Sequence, residues 1–151
     1  MKLPFLFGAV AIFVLFGNAP STADANACTL LTPAQILTAT GVVVSAGKNL
    51  GGSYICGWKA SNASKNIVVY FEDASHWTLI SGSSPFMRNV QKTPVSGLGD
   101  GAVYISNAGM FGTGLAVKKG QHVFQVRAPG FPADQGKDIE MKLARVILSH
   151  M

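Results

Sequence analysis

The two cysteines of this chain, Cys28 and Cys56, constrain its fold more than any other feature. A disulfide between them would join the start of the folded domain, at Cys28, to the segment around Cys56. In the chain-entropy model, closing a loop of about 28 residues stabilises the folded state by about 3.5 kcal/mol. A lipid anchor on Cys28 and two free thiols are the alternative states of this pair.

The residues that precede Cys28 are ordered like an export signal. Lys2 comes before an apolar run at residues 5–16, and a stretch of small residues at 18–27 follows. The run of about 12 residues suits a signal peptide and is shorter than the roughly 20 residues of a membrane span. We predict a signal peptide over residues 1–25 and a single exported domain over residues 26–151, periplasmic or extracellular, with no transmembrane span.

Two observations argue against a lipid anchor on Cys28. Ala25 stands where lipoprotein signals favour Leu, and Cys28 lies about ten residues beyond the apolar run. Lipidation would also leave Cys56 as an odd thiol in an oxidising compartment. The sequence therefore favours simple cleavage and a Cys28–Cys56 disulfide.

Helix signals stand at both ends of the predicted domain. Thr32, Pro33 and Gln35 fit the N-cap, N1 and N3 positions of a capping box, and Gly41 fits the C-terminal stop, which predicts a helix over residues 33–40. At the other end, helical spacing of apolar residues predicts an amphipathic helix that Asp134 caps. One side of this helix is formed by Ile139, Leu143, Val146, Ile147 and His150.

Short apolar stretches between the two helices predict the strands of an antiparallel sheet. They lie at residues 42–44, 54–59, 67–71, 102–106, 114–118 and 121–127, with a turn at Lys119 and Gly120. Residues 81–95 are polar and contain proline, which predicts a long surface loop. The fold class is therefore α+β: a sheet of about five antiparallel strands with a short N-terminal helix and a C-terminal amphipathic helix packed on one face.

The strands at residues 114–118 and 121–127 and the glycine-rich segment at residues 97–101 allow two further predictions. Pairing of the last two strands places Leu115 and Val117 on one face with His122, Phe124 and Val126, so that one face of the hairpin is apolar and the other is polar. Residues 97–101 (GLGDG) lead into a strand and not into a helix. They are therefore interpreted as a structural turn in which Asp100 bonds its own backbone, and not as a phosphate loop.

The residue types that carry out catalysis are sparse in this sequence. His76, His122 and His150 are far apart, and only Glu72 and Asp73 lie near one of them. Metal sites and acid–base pairs need several such groups at close spacing. We therefore predict no metal, no cofactor and no enzymatic activity. The net charge of +5 comes from scattered Lys and Arg residues, so we predict no nucleic-acid partner.

Aromatic residues outside the regular elements, with a methionine and two arginines beside them, are the candidates for a binding surface. The aromatic residues are Trp77, Phe86 and Phe111; Met110 stands next to Phe111, and Arg88 and Arg127 supply charge. A contiguous patch of this kind marks interaction sites, and packing of the same side chains under loops is the alternative. We predict a non-catalytic exported domain that binds a partner protein, a peptide or a small ligand of the cell envelope. A secreted inhibitor or effector and a small hydrolase are the alternatives.

Five short segments carry a resemblance to known proteins. They are CTLLTPA at residues 28–34, CGW at 56–58, PVSGLGDGA at 94–102, LAVKKG at 115–120 and KLARVIL at 142–148. Together they resemble a group of small exported bacterial proteins of unknown function, some of them lipoproteins. That group is similar in turn to PsbP-like folds and to extracellular sensor domains of bacterial kinases. The resemblance implies the α+β fold and the disulfide, and it brings no catalytic residues.

Overall fold

An antiparallel sheet forms the centre of the protein. Within residues 26–62, 64–82, 90–106 and 113–151, which the computed structural model describes, this sheet has seven strands. They are β1 (Lys48–Asn49), β2 (Ile55–Lys59), β3 (Asn66–Asp73), β4 (Gln91–Val95), β5 (Gly101–Ser106), β6 (Gly114–Lys119) and β7 (His122–Arg127). The helices are α1 (Pro33–Thr40), α2 (Trp77–Ser81) and α3 (Ala133–Leu148), with 3-10 turns at Ala27–Thr29 and Ala74–His76. The predicted α+β class is confirmed.

The strands lie in the order β1-β2-β3-β7-β6-β5-β4, and the predicted count of about five strands is too low. The two-residue strand β1 has no apolar pattern that would predict it. Strand β4 falls within residues 81–95, which the sequence predicts as loop, and it forms because residues 91–95 pair with β5 along their whole length. The strand predicted at residues 42–44 is reduced to one bridge between Val44 and Ala60.

The helices α1 and α3 pack on one face of the sheet, here called the inner face, as predicted. The capping box of α1 is present: Thr32 Oγ1 accepts from the Gln35 N–H, and Gln35 Oε1 accepts from the Thr32 N–H at 2.8 Å. Gly41 ends the helix at φ 72°. The inner-face core contains Ile36, Trp58, Val69, Leu115, Val117, Phe124, Val126, Ile139, Leu143 and Ile147.

The opposite face, here called the outer face, is partly covered by the short helix α2. A second buried cluster lies beneath it, formed by Ile80, Val103, Ile105, Ala116 and Val123. The expectation that one face of the β6–β7 hairpin is polar is therefore wrong, because both of its faces are buried. Lys92 Nζ donates to the carbonyls of Leu79 and Gly82, which ties β4 to the end of α2.

The β6–β7 hairpin has the predicted residues on its inner face, where Leu115 lies opposite Val126 and Val117 opposite Phe124. Lys119 pairs with His122, so the turn falls one residue later than predicted and each residue of β6 pairs two residues further along β7. The prediction that Asp100 bonds the backbone of its own turn is wrong.

The Asp100 carboxylate instead accepts from the Gly120 N–H at 2.7 Å, at the tip of the neighbouring hairpin. This hydrogen bond is the main cause that lowers the pKa of Asp100. The cap predicted for α3 is also wrong, because Pro132 occupies the N-cap position and Asp134 lies inside the first turn.

The predicted disulfide is confirmed. Cys28 and Cys56 are joined, with their Cα atoms 5.0 Å apart. Cys56 is buried beside Trp58 on β2, so the bridge fixes the N-terminal segment to the inner-face core. Among the described residues, no helix combines the length and the apolar character needed to cross a membrane.

Candidate functional site

An apolar cleft of about 820 Å³ lies at the end of the sheet where β1, β2 and β3 meet. Small-molecule sites in proteins have volumes of roughly 300–1,000 Å³ and mainly apolar linings. The lining of this cleft includes Val43, Lys48, Leu50, Gly57, Lys59 and Val68. We call it the edge cleft.

The chain forms one wall of the edge cleft because residues 43–50 do not follow a regular strand. Val44 makes an isolated bridge with Ala60, and regular pairing resumes only at Lys48. Gly47 lies between these points, and a Cβ there would stand 2.8 Å from Trp58 Nε1. The absence of a side chain at Gly47 therefore lets this segment lie close against β2.

Two large apolar side chains on this segment remain open to solvent. Val43 is 58% exposed and Leu50 is 61% exposed. Leu50 reaches over β2, where a Cβ on Gly57 would lie 2.6 Å from Leu50 Cδ1. A larger residue at position 57 would push Leu50 away, so the glycine is part of what shapes the cleft.

One row of directly opposed residues crosses the outer face from the edge cleft into the sheet. Lys48 on β1 is paired with Gly57, Gly57 with Val68, and Val68 with Arg127. Opposed residues of antiparallel strands point to the same face. Arg127, one of the predicted binding residues, is therefore a neighbour of the apolar side chain of Val68. Its guanidinium lies 4.6 Å from the centre of the Tyr70 ring.

A second row carries polar groups at the same end of the sheet. Lys59 stands two residues after Gly57 and is directly opposite Asn66. Lys59 and Lys48 are diagonal neighbours on one face, a relation that separates Cβ atoms by about 7 Å. Both lysine side chains are exposed. The edge cleft thus combines apolar walls with two cations.

The other predicted binding residues do not meet at the edge cleft. Trp77 is half-buried at the start of α2, and a Cβ on Gly101 would lie 3.1 Å from Trp77 Cζ2. Trp77 thus packs over the start of β5, whereas Arg127 lies at the opposite end of the sheet. The predicted residues Phe86, Arg88, Met110 and Phe111 lie outside the described residues, and their surface stays a prediction.

The histidines occupy separate places in the described structure. His76 Nδ1 lies 3.7 Å from Glu72 Oε2, and the His122 ring lies 4.8 Å from the ring of Phe71. His150 Nε2 is hydrogen-bonded to Gln35 Nε2 at 2.9 Å. Within the described ranges, no group of three or more His, Cys, Asp or Glu side chains is arranged to hold a metal ion.

A buried carboxyl group on α3 is the most perturbed titratable site in the described structure. Glu140 is 1% exposed, and its Oε1 accepts from the Ala128 N–H at 3.0 Å. Its Oε2 has no hydrogen-bond partner within the described part of the chain. Burial raises the pKa of Glu140 to about 7, against the opposing effects of the Ala128 N–H and of the charges on Arg127 and Lys137.

Sequence reasoning missed Glu140, although a signal was available. It stands four residues before Ala144, which places it on the buried stripe of α3. It is separated from the edge cleft by the sheet, since it lies on the inner face with α3.

The chain gives no match in comparisons with protein-family models, with curated proteins or with solved structures. Function is therefore inferred from the edge cleft itself. Its size, its exposed apolar walls and its two lysines are the properties that a function has to use.

Proposed function

We propose that this protein is a non-catalytic binding domain whose site is the edge cleft, and that its ligand is a small, mainly apolar molecule. The observation that carries the proposal is the exposure of Val43 and Leu50 at the wall of a concave site. Burying apolar surface is favourable by about 25 cal/mol per Å². A ligand that covers both side chains gains this free energy without any change in the sheet.

A small ligand is favoured over a peptide that adds a strand to the sheet. Strand addition needs a sheet edge with several free backbone groups. The edge strand β1 has two residues. The other edge strand, β4, contains Pro94, which has no N–H to donate. The edge cleft also lies on the face of the sheet, where a compact apolar molecule fits.

The Cys28–Cys56 disulfide supports the proposal that the protein acts after export, as a single domain over residues 26–151. Disulfides persist in oxidising compartments and are rare in the cytosol. The signal-like order of residues 1–25 supports the same location. The ligand would then be a molecule of the cell envelope or of its surroundings.

The test uses the uncharged fluorescent probe N-phenyl-1-naphthylamine, whose emission rises in an apolar site. We expect the wild-type protein to bind it with saturation. The variant Leu50→Ala should weaken binding about fivefold, which corresponds to about 1 kcal/mol of lost apolar contact.

Leu79→Ala is the matched control, because Leu79 is 53% exposed on α2 and lies outside the edge cleft. It should leave probe binding unchanged. Equal effects of the two leucine substitutions, or no saturable binding by the wild type, would overturn the proposed function. Thermal unfolding of both variants checks that the fold is intact, and we expect the wild-type midpoint for each because both leucines are exposed.

A further inference from the structure

The two exposed lysines of the edge cleft define the kind of ligand more narrowly. Resting on the proposed function, we propose that the ligand is an anionic amphiphile. Its acidic headgroup is held by Lys48 and Lys59, and its apolar tail covers Val43, Leu50 and Val68. The shared chemistry is a carboxylate or phosphate joined to an aliphatic or aromatic body.

Lys48 and Lys59 differ from other lysines in what surrounds them. Neither takes part in an ion pair within the described residues. Several other lysines are engaged: Lys119 lies 3.7 Å from Asp100 and Lys142 2.7 Å from Asp138, while Lys65 and Lys137 lie over the aromatic rings of Phe131 and Tyr104. Because Lys48 and Lys59 are diagonal neighbours on one face of the sheet, a single anion can lie near both ammonium groups.

The charge of the edge cleft is positive in the part of the chain that the structure describes. Among the described lining residues there are two lysines and no Asp or Glu side chain. A bound anion would therefore be attracted by both lysines, with no repulsion from an acidic neighbour in the cleft. Charge complementarity of this kind favours an acidic ligand over a neutral or basic one.

Asn66 adds a hydrogen-bond donor at the same place. It lies directly opposite Lys59 on β3 and lines the edge cleft. An oxyanion beside Lys59 can accept hydrogen bonds from the amide NH₂ of Asn66 and from the ammonium group. The pair Lys59–Asn66 is two residues along the strands from the pair Gly57–Val68, on the same face of the sheet. The headgroup and the tail of one ligand can therefore bind at adjacent positions.

The experiment compares ligands that share one tail. Dodecanoate, dodecyl phosphate and dodecanol, each below its micelle concentration, compete with N-phenyl-1-naphthylamine for the wild-type protein. We expect each anion to bind about tenfold more tightly than dodecanol at low salt, and this preference to fall as salt rises. Which anion binds better distinguishes a carboxylate ligand from a phosphate ligand.

The double variant Lys48→Gln/Lys59→Gln should abolish the preference, so that it binds the anions and dodecanol about equally. Its affinity for dodecanol should equal that of the wild type. The control Lys137→Gln/Lys142→Gln keeps the same net charge as the double variant and should retain the tenfold preference. Leu50→Ala should weaken all three ligands alike.

Failure of this inference and failure of the proposed function give different results. Equal binding of dodecanol and both anions by the wild type overturns the anionic headgroup and leaves the apolar site standing. An equal loss of preference in the two lysine pairs overturns it as well. No saturable binding of any of the three compounds overturns the apolar site itself. Lysine-dependent binding to anionic vesicles, without binding of the monomeric anions, also overturns the inference and indicates a membrane surface.

Discussion

Replacement of Glu140 by Gln should remove the part of the pH dependence of the unfolding free energy that comes from the buried Glu140 carboxyl group. The pKa of Glu140 rises from an ordinary value of 4.5 to about 7 because the folded protein buries the carboxyl group. Between these two values the folded state binds more protons than the unfolded state, so the free energy of unfolding falls as pH rises. Each pKa unit corresponds to about 1.4 kcal/mol, so the loss between pH 4.5 and pH 8 is about 3 kcal/mol.

The neutral amide of Glu140→Gln keeps an oxygen that can accept from the Ala128 N–H and carries no charge to bury. We expect the variant to have about the wild-type free energy of unfolding at pH 5. At pH 8 it should be more stable than the wild type by up to about 3 kcal/mol. Urea unfolding followed by tryptophan fluorescence at pH 5, 6, 7 and 8 measures this difference.

Glu72→Gln is the matched control, because Glu72 is a partly exposed glutamate on β3. Its unfolding free energy should fall with pH as that of the wild type does. The reasoning about burial is refuted if Glu140→Gln keeps the wild-type slope between pH 5 and pH 8, or if the control loses that slope too.

Two further predictions concern the stability of the fold. The double variant Cys28→Ser/Cys56→Ser should lower the free energy of unfolding by about 3.5 kcal/mol, and urea unfolding with and without reductant should show that reductant affects only the wild type. Gly130 and Gly120 both have positive φ (84° and 55°), but only a Cβ at position 130 would clash with the Ser64 carbonyl. Gly130→Ala should therefore destabilise the fold by roughly 2 kcal/mol more than Gly120→Ala. Equal costs of the two alanine substitutions in urea unfolding would contradict that steric reason.

The parts of the fold that depend on local signals could be predicted from the sequence. The capping residues Thr32, Gln35 and Gly41 act on their own helix, so α1 has the predicted bounds. The inner face of the β6–β7 hairpin follows from alternation alone. Strand β4 could not be predicted in this way, because Gln91–Val95 carries no alternating apolar pattern and is a strand only through its pairing with β5.

The edge cleft could not be predicted from the sequence for a related reason. Val43 and Leu50 are ordinary apolar residues in the sequence, and apolar residues are expected in the core. Their exposure depends on the path of residues 43–50, which is set by close contacts of Gly47 with Cys56 and Trp58. Arg127 was a predicted binding residue, and the register of β3 and β7 places it next to the cleft.

The most direct test of the edge cleft is a map of backbone amide chemical shifts during titration with dodecanoate. We predict that the largest changes occur in residues 43–50 and in β2, with smaller changes near Val68. A shallower groove between α1 and α3, lined by Ala34, Ala39 and Val146, is the competing apolar site on the opposite side of the sheet. Changes centred on that groove, with none in residues 43–50, would contradict the assignment of the edge cleft as the binding site.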